Sequence, residues 1–350
     1  MIIRRYKDIG YTSFFSPKTG FFARVEDDGK PEPFWSPYGP ELLDISITNW
    51  CDKGCNFCYQ SSSKTGKHMS MDDYKKVIDA AAEMGVFQVA LGGGNPNQHP
   101  RFVDMLEYTY MKGIIPNYTT NGRGLCDKVI ETSRKFCGAV AVSAYLPYDE
   151  TASAVKKLVE SKIKVNIHYI LDSDSILAAI KWLKFPPAFL GGINALVFLN
   201  YKPSGRKIFK EKLLKHSDKI QEFFEIATSK KYRFKIGFDS CCVSGLFTRT
   251  NVKAQTIDAC DAGRFSMFIS EDMKVYPCSF QKAFHTGDQV VLKGDIHKIW
   301  MESPNFKKFR DYFKSDRCSG CPEQNQCKNG CPLFEEVVVC GGEFKLQVHH

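Results

Sequence analysis

Nowhere in the 350 residues is there an apolar run near the roughly 18 that a membrane-crossing helix needs. The first eight residues, Met1 to Asp8, carry Arg4, Arg5 and Lys7 and no long apolar stretch, which argues against a secretory signal. Internal repeats and low-complexity tracts are missing too. Hydrophobic residues make up 43% and charged residues 25%, which excludes a disordered chain. The expectation is a folded cytoplasmic protein with no membrane role. In that compartment thiols stay reduced, so a disulfide framework is not expected. Two things are present in excess. The chain holds 14 cysteines, and clustered thiols in a reducing compartment point to bound metal. It also carries 48 Lys+Arg against 39 Asp+Glu, a formal +9 that raises the question of nucleic acid.

From about residue 42 to 199 short apolar runs alternate with helical periodicity. Strands are expected at Leu42–Thr48, Phe87–Leu91, Ile114–Thr119, Ala139–Ala144, Lys164–Leu171 and Ala195–Leu199. Helices are expected near 70–84, 101–112, 124–136, 149–161 and 174–184. Ser70 with Asp73 makes a capping pattern, and Gly85 suits the left-handed stop of the same helix. Such alternation implies an α/β fold with a parallel sheet and right-handed crossovers, a partial (β/α)6 TIM-like barrel with its site at the C-terminal strand ends.

Residues 1–40 read as an N-terminal unit. In it Tyr11–Phe15 and Phe21–Val25 form a hairpin, and Pro31, Pro33, Pro37 and Pro40 a linker. The barrel spans 41–235. Its last part, Lys202–Lys235, holds 11 Lys/Arg and 4 Asp/Glu and is expected to include a helix at 210–229 and a strand at 232–238. Residues 236–350 form a C-terminal cysteine-rich domain, too poor in apolar periodicity for an ordinary core and therefore expected to need metal.

Directly after the first strand comes Cys51-Asp52-Lys53-Gly54-Cys55-Asn56-Phe57-Cys58-Tyr59. Three thiolates in one loop leave a four-iron cluster with one iron open; the other reading of the spacing is a zinc knuckle with a remote fourth ligand. The motif, with Phe57 before its third cysteine, resembles that of radical S-adenosylmethionine (SAM) enzymes. The resemblance implies that Cys51, Cys55 and Cys58 hold a [4Fe-4S] cluster whose open iron binds SAM. Reductive cleavage then gives a 5′-deoxyadenosyl radical that abstracts hydrogen from substrate. Gly92-Gly93-Gly94-Asn95-Pro96, continuing to His99-Pro100, is similar to the family's GGEP stretch, with Asn95 where the family usually has Glu. Thr120-Asn121-Gly122 matches its TNG turn, and Ser143 a SAM-contacting position. By the same resemblance, Phe57, Gly93, Gly94, Asn95, Pro96, Thr120, Asn121, Ser143 and Arg206 are SAM-site candidates. Tyr59 is a candidate for shielding the cluster. Asn166 and His168, on the fifth strand, read first as satisfied core residues.

The C-terminal cysteines run Cys260, Cys278, Cys318, Cys321, Cys327, Cys331 and Cys340. This pattern resembles the SPASM domain carried by a subset of radical SAM enzymes, with Met273 where a glycine is usual. The resemblance implies two auxiliary [4Fe-4S] clusters, and three clusters in all. One would use Cys318, Cys321, Cys327 and Cys340. The other would use Cys260, Cys278 and Cys331, with Cys241 or Cys242 available to complete it. Two structural zinc sites are the competing reading. Cys126 and Cys137 read as small buried residues flanking a helix.

Family members with this domain mostly modify peptides or proteins. The implied function is hydrogen abstraction from a ribosomally made precursor peptide, forming a thioether or carbon–carbon crosslink. Maturation of a larger protein, small-molecule modification and SAM-independent electron transfer are the alternatives. Ser279, where the sulfatase-maturing branch has a catalytic Asp, argues against that branch. Implied partners are the precursor peptide, a reductant such as flavodoxin or ferredoxin, and a separate leader-binding protein, since only about 40 residues precede the barrel. Three clusters would lower the net charge to about +4, so no nucleic-acid partner is needed.

Overall fold

The computed structural model describes residues 1–27, 33–253 and 256–341; Pro31 of the expected linker lies outside them. The chain opens with an antiparallel sheet of β1 (Ile2–Tyr6), β2 (Tyr11–Phe15) and β3 (Phe22–Glu26). The expected hairpin is there, widened by a first strand that the alternation of Ile2, Ile3 and charged residues hid. Next come β4 (Leu42–Thr48), α1 (Met71–Glu83), β5 (Gln88–Gly93), α2 (Phe102–Met111), β6 (Ile115–Thr120) and α3 (Asp127–Phe136). The alternation continues through β7 (Val140–Ala144), α4 (Asp149–Glu160), β8 (Val165–Leu171), α5 (Ile176–Lys184), β9 (Ala195–Asn200), α6 (Ile220–Ser229) and β10 (Lys235–Phe238). After α7 (Val243–Arg249) the chain forms β11 (Ser266–Ile269), β12 (Lys274–Tyr276), β13 (Asp288–Gln289), α8 (Asp295–Glu302), α9 (Pro304–Lys314) and α10 (Gln324–Cys327).

Strand alternation decides what faces the site. In β4, Leu43, Ile45 and Ile47 are buried under the helices. Leu42 and Asp44 therefore point the other way, into the interior. Helix α1 begins as its sequence indicates: Ser70 Oγ accepts from the Asp73 amide at 3.0 Å. Gly85 follows its end at φ +79°.

The main sheet runs β10-β9-β8-β7-β6-β5-β4-β11-β12-β13. It is parallel from β10 to β11, so the six expected strands are extended at both edges. A domain boundary at 235/236 falls inside β10, and β11 pairs with β4 from Ser266↔Leu42 to Ile269↔Ile45. The cysteine-rich part therefore shares the barrel's sheet. It shares the core as well: Met267, Ile269, Val275, Ile296, Trp300 and Phe306 join the main apolar cluster. The expectation that this part lacks an ordinary core fails because α8 and α9 lay Ile296, Trp300 and Phe306 against the barrel rather than against each other alone. The expected helix at 210–229 shortens to α6, which starts where the buried spacing Ile220, Phe223, Phe224, Ala227 starts. Among the described residues no helix is long and apolar enough to cross a membrane.

Candidate active site

A cavity of about 880 Å³ fills the concave face of the sheet, within the range that holds a cofactor and part of a substrate. Cys51, Cys55 and Cys58 line one wall, on the loop that leaves β4. That loop is pinned from several sides. The Cys51 amide donates to Ser63 O at 2.9 Å. The Asn121 side-chain amide donates to Cys51 Sγ at 3.5 Å. Lys53 and Arg123 both pair with Glu150, with Arg123 Nη2 at 2.7 Å from its carboxylate. These three charged residues are 70 to 97 positions apart from the loop to its partners, and only the fold reveals them.

The glycine strip at the end of β5 sits against this loop. The Gly94 amide donates to Thr48 O at 2.7 Å and the Asn95 amide to Trp50 O at 3.0 Å. A Cβ on Gly93 would stand 2.1 Å from Thr48 O, and one on Gly94 2.0 Å from Trp50 O. At Gly92 the same construction meets nothing within 4 Å, leaving open space on the cavity side. Glycine thus does two jobs: close approach to the loop at Gly93 and Gly94, and clearance for an occupant at Gly92.

Phe57, Gly93, Gly94, Thr120, Asn121 and Ser143 all line the cavity. Phe57 packs on Tyr145 with ring centroids 5.5 Å apart. Asn95, Pro96 and Arg206 do not line it. Asn95 is fully buried. Its Nδ2 donates to Gln98 Oε1 and Arg123 O, and its Oδ1 accepts from Thr120 Oγ1 and the Asn121 amide. With every position filled, it joins the glycine strip to the TNG turn and has nothing left for a ligand. Arg206 donates to Cys55 O at 2.6 Å and to Ser62 O, and its amide to Cys58 O. It holds the cysteine loop from behind. Asn166 accepts from Asn194 at 2.7 Å and is likewise structural.

The remaining thiols form two sets. Cys241 lies close enough to Cys331 to interact with it, and Cys260 and Cys278 both feel its charge. These four line the same cavity as Cys51, Cys55 and Cys58. In the second set Cys327 feels Cys340, Cys318 and Cys321, and Cys340 feels Cys318 and Cys321. None of these lines the cavity. Cys242 points into the main apolar core instead, as adjacent side chains diverge. Burial pushes the thiols of Cys260, Cys278 and Cys327 up to about 12, so metal has to displace their protons. Among the described residues no three such side chains converge as tightly as one metal ion needs. Zinc takes its sulfurs at about 2.3 Å from a single point. A four-iron cluster takes each thiolate on a separate iron and accepts wider spacing, so the all-thiol sets fit it better. Cys126 is exposed at the N-cap of α3, against the buried placement expected for it, because that position faces outward where the chain enters the helix; Cys137 is partly buried against the core.

Among the other cavity residues, Lys202 and Asp239 carried no signal in the sequence. Lys202 pairs with Asp239 at the end of β10. Burial works against its ammonium, but Asp239 and Cys241 outweigh that and hold its pKa above the usual lysine value. His168 lines the cavity rather than a packed core, and burial lowers it to about 4, so it is neutral. Tyr59 stacks on Phe280 at 4.5 Å, tying the first cysteine loop to the one after Cys278.

A parallel β/α barrel with three thiols after its first strand, facing a second thiol set across one cavity, defines an iron–sulfur enzyme of the radical SAM type. Residues 45–184 match the Radical SAM superfamily, and residues 260–322 match the SPASM iron-sulfur cluster-binding domain. The mycofactocin maturase MftC of Mycobacterium tuberculosis (strain ATCC 25618 / H37Rv) is 23% identical over 311 residues, covering 83% of this chain and 78% of that protein. An AdoMet-dependent heme synthase of Methanosarcina barkeri (strain Fusaro / DSM 804) is 23% identical over 341 residues, covering 87% and 90%. Among solved structures, Streptococcus suis SuiB bound to precursor peptide SuiA has a TM-score of 0.68 at 17% identity, covering 84% of this chain and 72% of SuiB. The chain carries a radical SAM domain over residues 45–184 and a SPASM domain over residues 260–322, the domains of a radical SAM enzyme that uses SAM and iron–sulfur clusters.

Proposed function

We propose that the chain is a maturase that crosslinks a residue of a ribosomally made precursor peptide, through a thioether or a carbon–carbon bond. One observation carries this reading. A single cavity has Cys51, Cys55 and Cys58 on one wall and Cys241, Cys260, Cys278 and Cys331 on another, with room between them for a substrate residue. When bound and reduced, the cluster at the first wall supplies the electron that cleaves SAM and so initiates hydrogen abstraction.

The chain's own residues do the rest. Cys51, Cys55 and Cys58 hold the cluster, while Asn121, Arg206 and the Lys53–Glu150–Arg123 group keep their loop in place. Gly92 leaves the wall clear for SAM, beside Phe57, Thr120 and Ser143. The apolar lining from Phe238, Leu246, Phe268 and Phe280 keeps bulk water from the reacting centre. Two further clusters complete the reading, one on Cys241, Cys260, Cys278 and Cys331 and one on Cys318, Cys321, Cys327 and Cys340. A flavodoxin or ferredoxin serves as reductant, a separate protein presents the leader, and the cytoplasm is the compartment. The likeness to the mycofactocin maturase and to SuiB with its precursor peptide supports the peptide class. The heme synthase keeps a small-molecule substrate as the second reading.

The test is anaerobic reconstitution followed by SAM and a strong reductant. Expected are 5′-deoxyadenosine and about 12 iron per chain. Iron and sulfide without 5′-deoxyadenosine would overturn the reading. Cys241→Ala is expected to lose iron or change the cluster signal by electron paramagnetic resonance, and Cys242→Ala to keep both. Co-expression with a peptide encoded beside the gene separates the substrate classes. A product short of a pair of hydrogen atoms supports a crosslink, and an unchanged peptide favours the small molecule.

A further inference from the structure

Most charged groups lining the cavity are paired within the protein. Lys53 meets Glu150, Lys202 meets Asp239, and Asp258 and Asp261 both face Arg24. Asp44 is different. It lies in the middle of β4, in register with Ala90 on β5 and Phe268 on β11, neither of which offers it a donor. The alternation of β4 directs it into the cavity, two residues before the level of Gly92. Among the described residues it makes no hydrogen bond and no ion pair. The Tyr59 phenol lies close enough to feel its charge, and makes no hydrogen bond to it.

A half-buried carboxylate with no partner carries a desolvation cost. Such a cost is commonly met by a ligand that brings the missing donor. From the open side, the space in front of Asp44 lies between the glycine strip and the second thiol set, where the proposed function puts the substrate residue.

We infer that Asp44 is the substrate anchor of the cavity, accepting from an ammonium or other N–H donor on the peptide residue to be modified. The inference rests on the peptide reading and adds to it the chemistry of the bound side chain. Asp44 is a binding and specificity residue here: it selects a donor-bearing side chain over an apolar one of equal length, because an apolar occupant would leave the carboxylate unpaired.

The probes are N-acetyl-lysine N-methylamide and N-acetyl-2-aminoheptanoic acid N-methylamide, equal in length and differing in whether the side chain ends in an ammonium or a methyl group. Calorimetry on the SAM-loaded holoenzyme is expected to show the lysine probe bound roughly tenfold tighter, and Asp44→Asn to abolish the difference. Equal binding of the two probes by the wild type overturns the inference, as does a preference that survives Asp44→Asn. A fall in SAM affinity in Asp44→Asn with the probe preference intact overturns it too, by assigning the carboxylate to SAM. Thermal melting of the same variant gives a readout free of turnover and of any probe. A melting temperature at or above the wild type fits an anchor, and one several degrees lower means that Asp44 holds the fold. Failure to make 5′-deoxyadenosine sinks the proposed function and leaves both of these readouts interpretable.

Discussion

Asn95 and Asp44 lie on neighbouring parts of the site and stand at opposite extremes of hydrogen bonding. Asn95 has all four amide positions filled by protein. Asn95→Ala should therefore cost about 2–4 kcal/mol, since it strands the Thr120 hydroxyl and the Asn121 amide in a buried place. Asn95→Asp, equal in size, should cost about 1–3 kcal/mol, because an oxygen then faces Arg123 O; both are read by denaturant unfolding. At Asp44 burial raises the carboxyl to about 7, against about 3.9 in an unfolded chain. A raised value means that the fold disfavours the charged form. The destabilisation is absent below the unfolded value, grows as pH rises between the two, and is complete above about 7. Its strand neighbours Ala90 and Phe268 carry no charge, and Tyr59 is the titratable side chain that responds to it. The advantage of Asp44→Asn in melting temperature should thus increase from pH 4 to pH 7 and then level off. A pH-independent difference between the two proteins would contradict this.

At the scale of elements, the crossing of β5 over the loop after β4 makes the site. Gly94 lets the two backbones touch, whereas Gly92 opens to the cavity. Gly94→Ala should displace the Cys51–Cys58 loop and lower reconstituted iron from about twelve to about eight per chain. Gly92→Val should keep the iron and weaken SAM binding at least tenfold, measured by equilibrium dialysis. If both variants lose iron alike, the division of labour is wrong. The hairpin of β11 and β12 shows how one residue can depart from a family pattern without changing an element. Met273 occupies its turn at φ +62°, the left-handed region that favours glycine. Its side chain is buried in the main core, which offsets that strain. The hairpin pairs with Met273 in that turn.

For the whole molecule, the consequence is that barrel and cysteine-rich part are one packing unit. β11 covers the edge of β4, and Trp300 and Phe306 close the core beside it. A chain ended after Phe238 would expose that edge and lose those side chains. It should fail to show a cooperative melt and should aggregate, by calorimetry and light scattering; a soluble, cooperatively melting fragment would refute the shared core. The high thiol pKa values act at this scale as well. Reconstitution must remove protons held by Cys260, Cys278 and Cys327, so iron uptake should rise between pH 7 and pH 8.5.

The order of strands and helices, the cluster loop, the glycine strip and the SPASM cysteines were legible in the sequence. They depend on local periodicity and on ligands a few residues apart, which chain chemistry alone constrains. Tertiary structure decided what depends on distant residues meeting. It sorted Cys241 from Cys242, since two adjacent side chains diverge and only the packing says which one faces the cavity. It turned Asn95 and Arg206 from ligand candidates into supports, because their partners, Arg123 O and Cys55 O, come from other loops. It showed Lys53, Glu150 and Arg123 gathered around one loop, and it left Asp44 unpaired. A carboxylate in a strand looks the same in sequence whether or not a cation waits across the sheet; only the fold determines which groups share its surroundings.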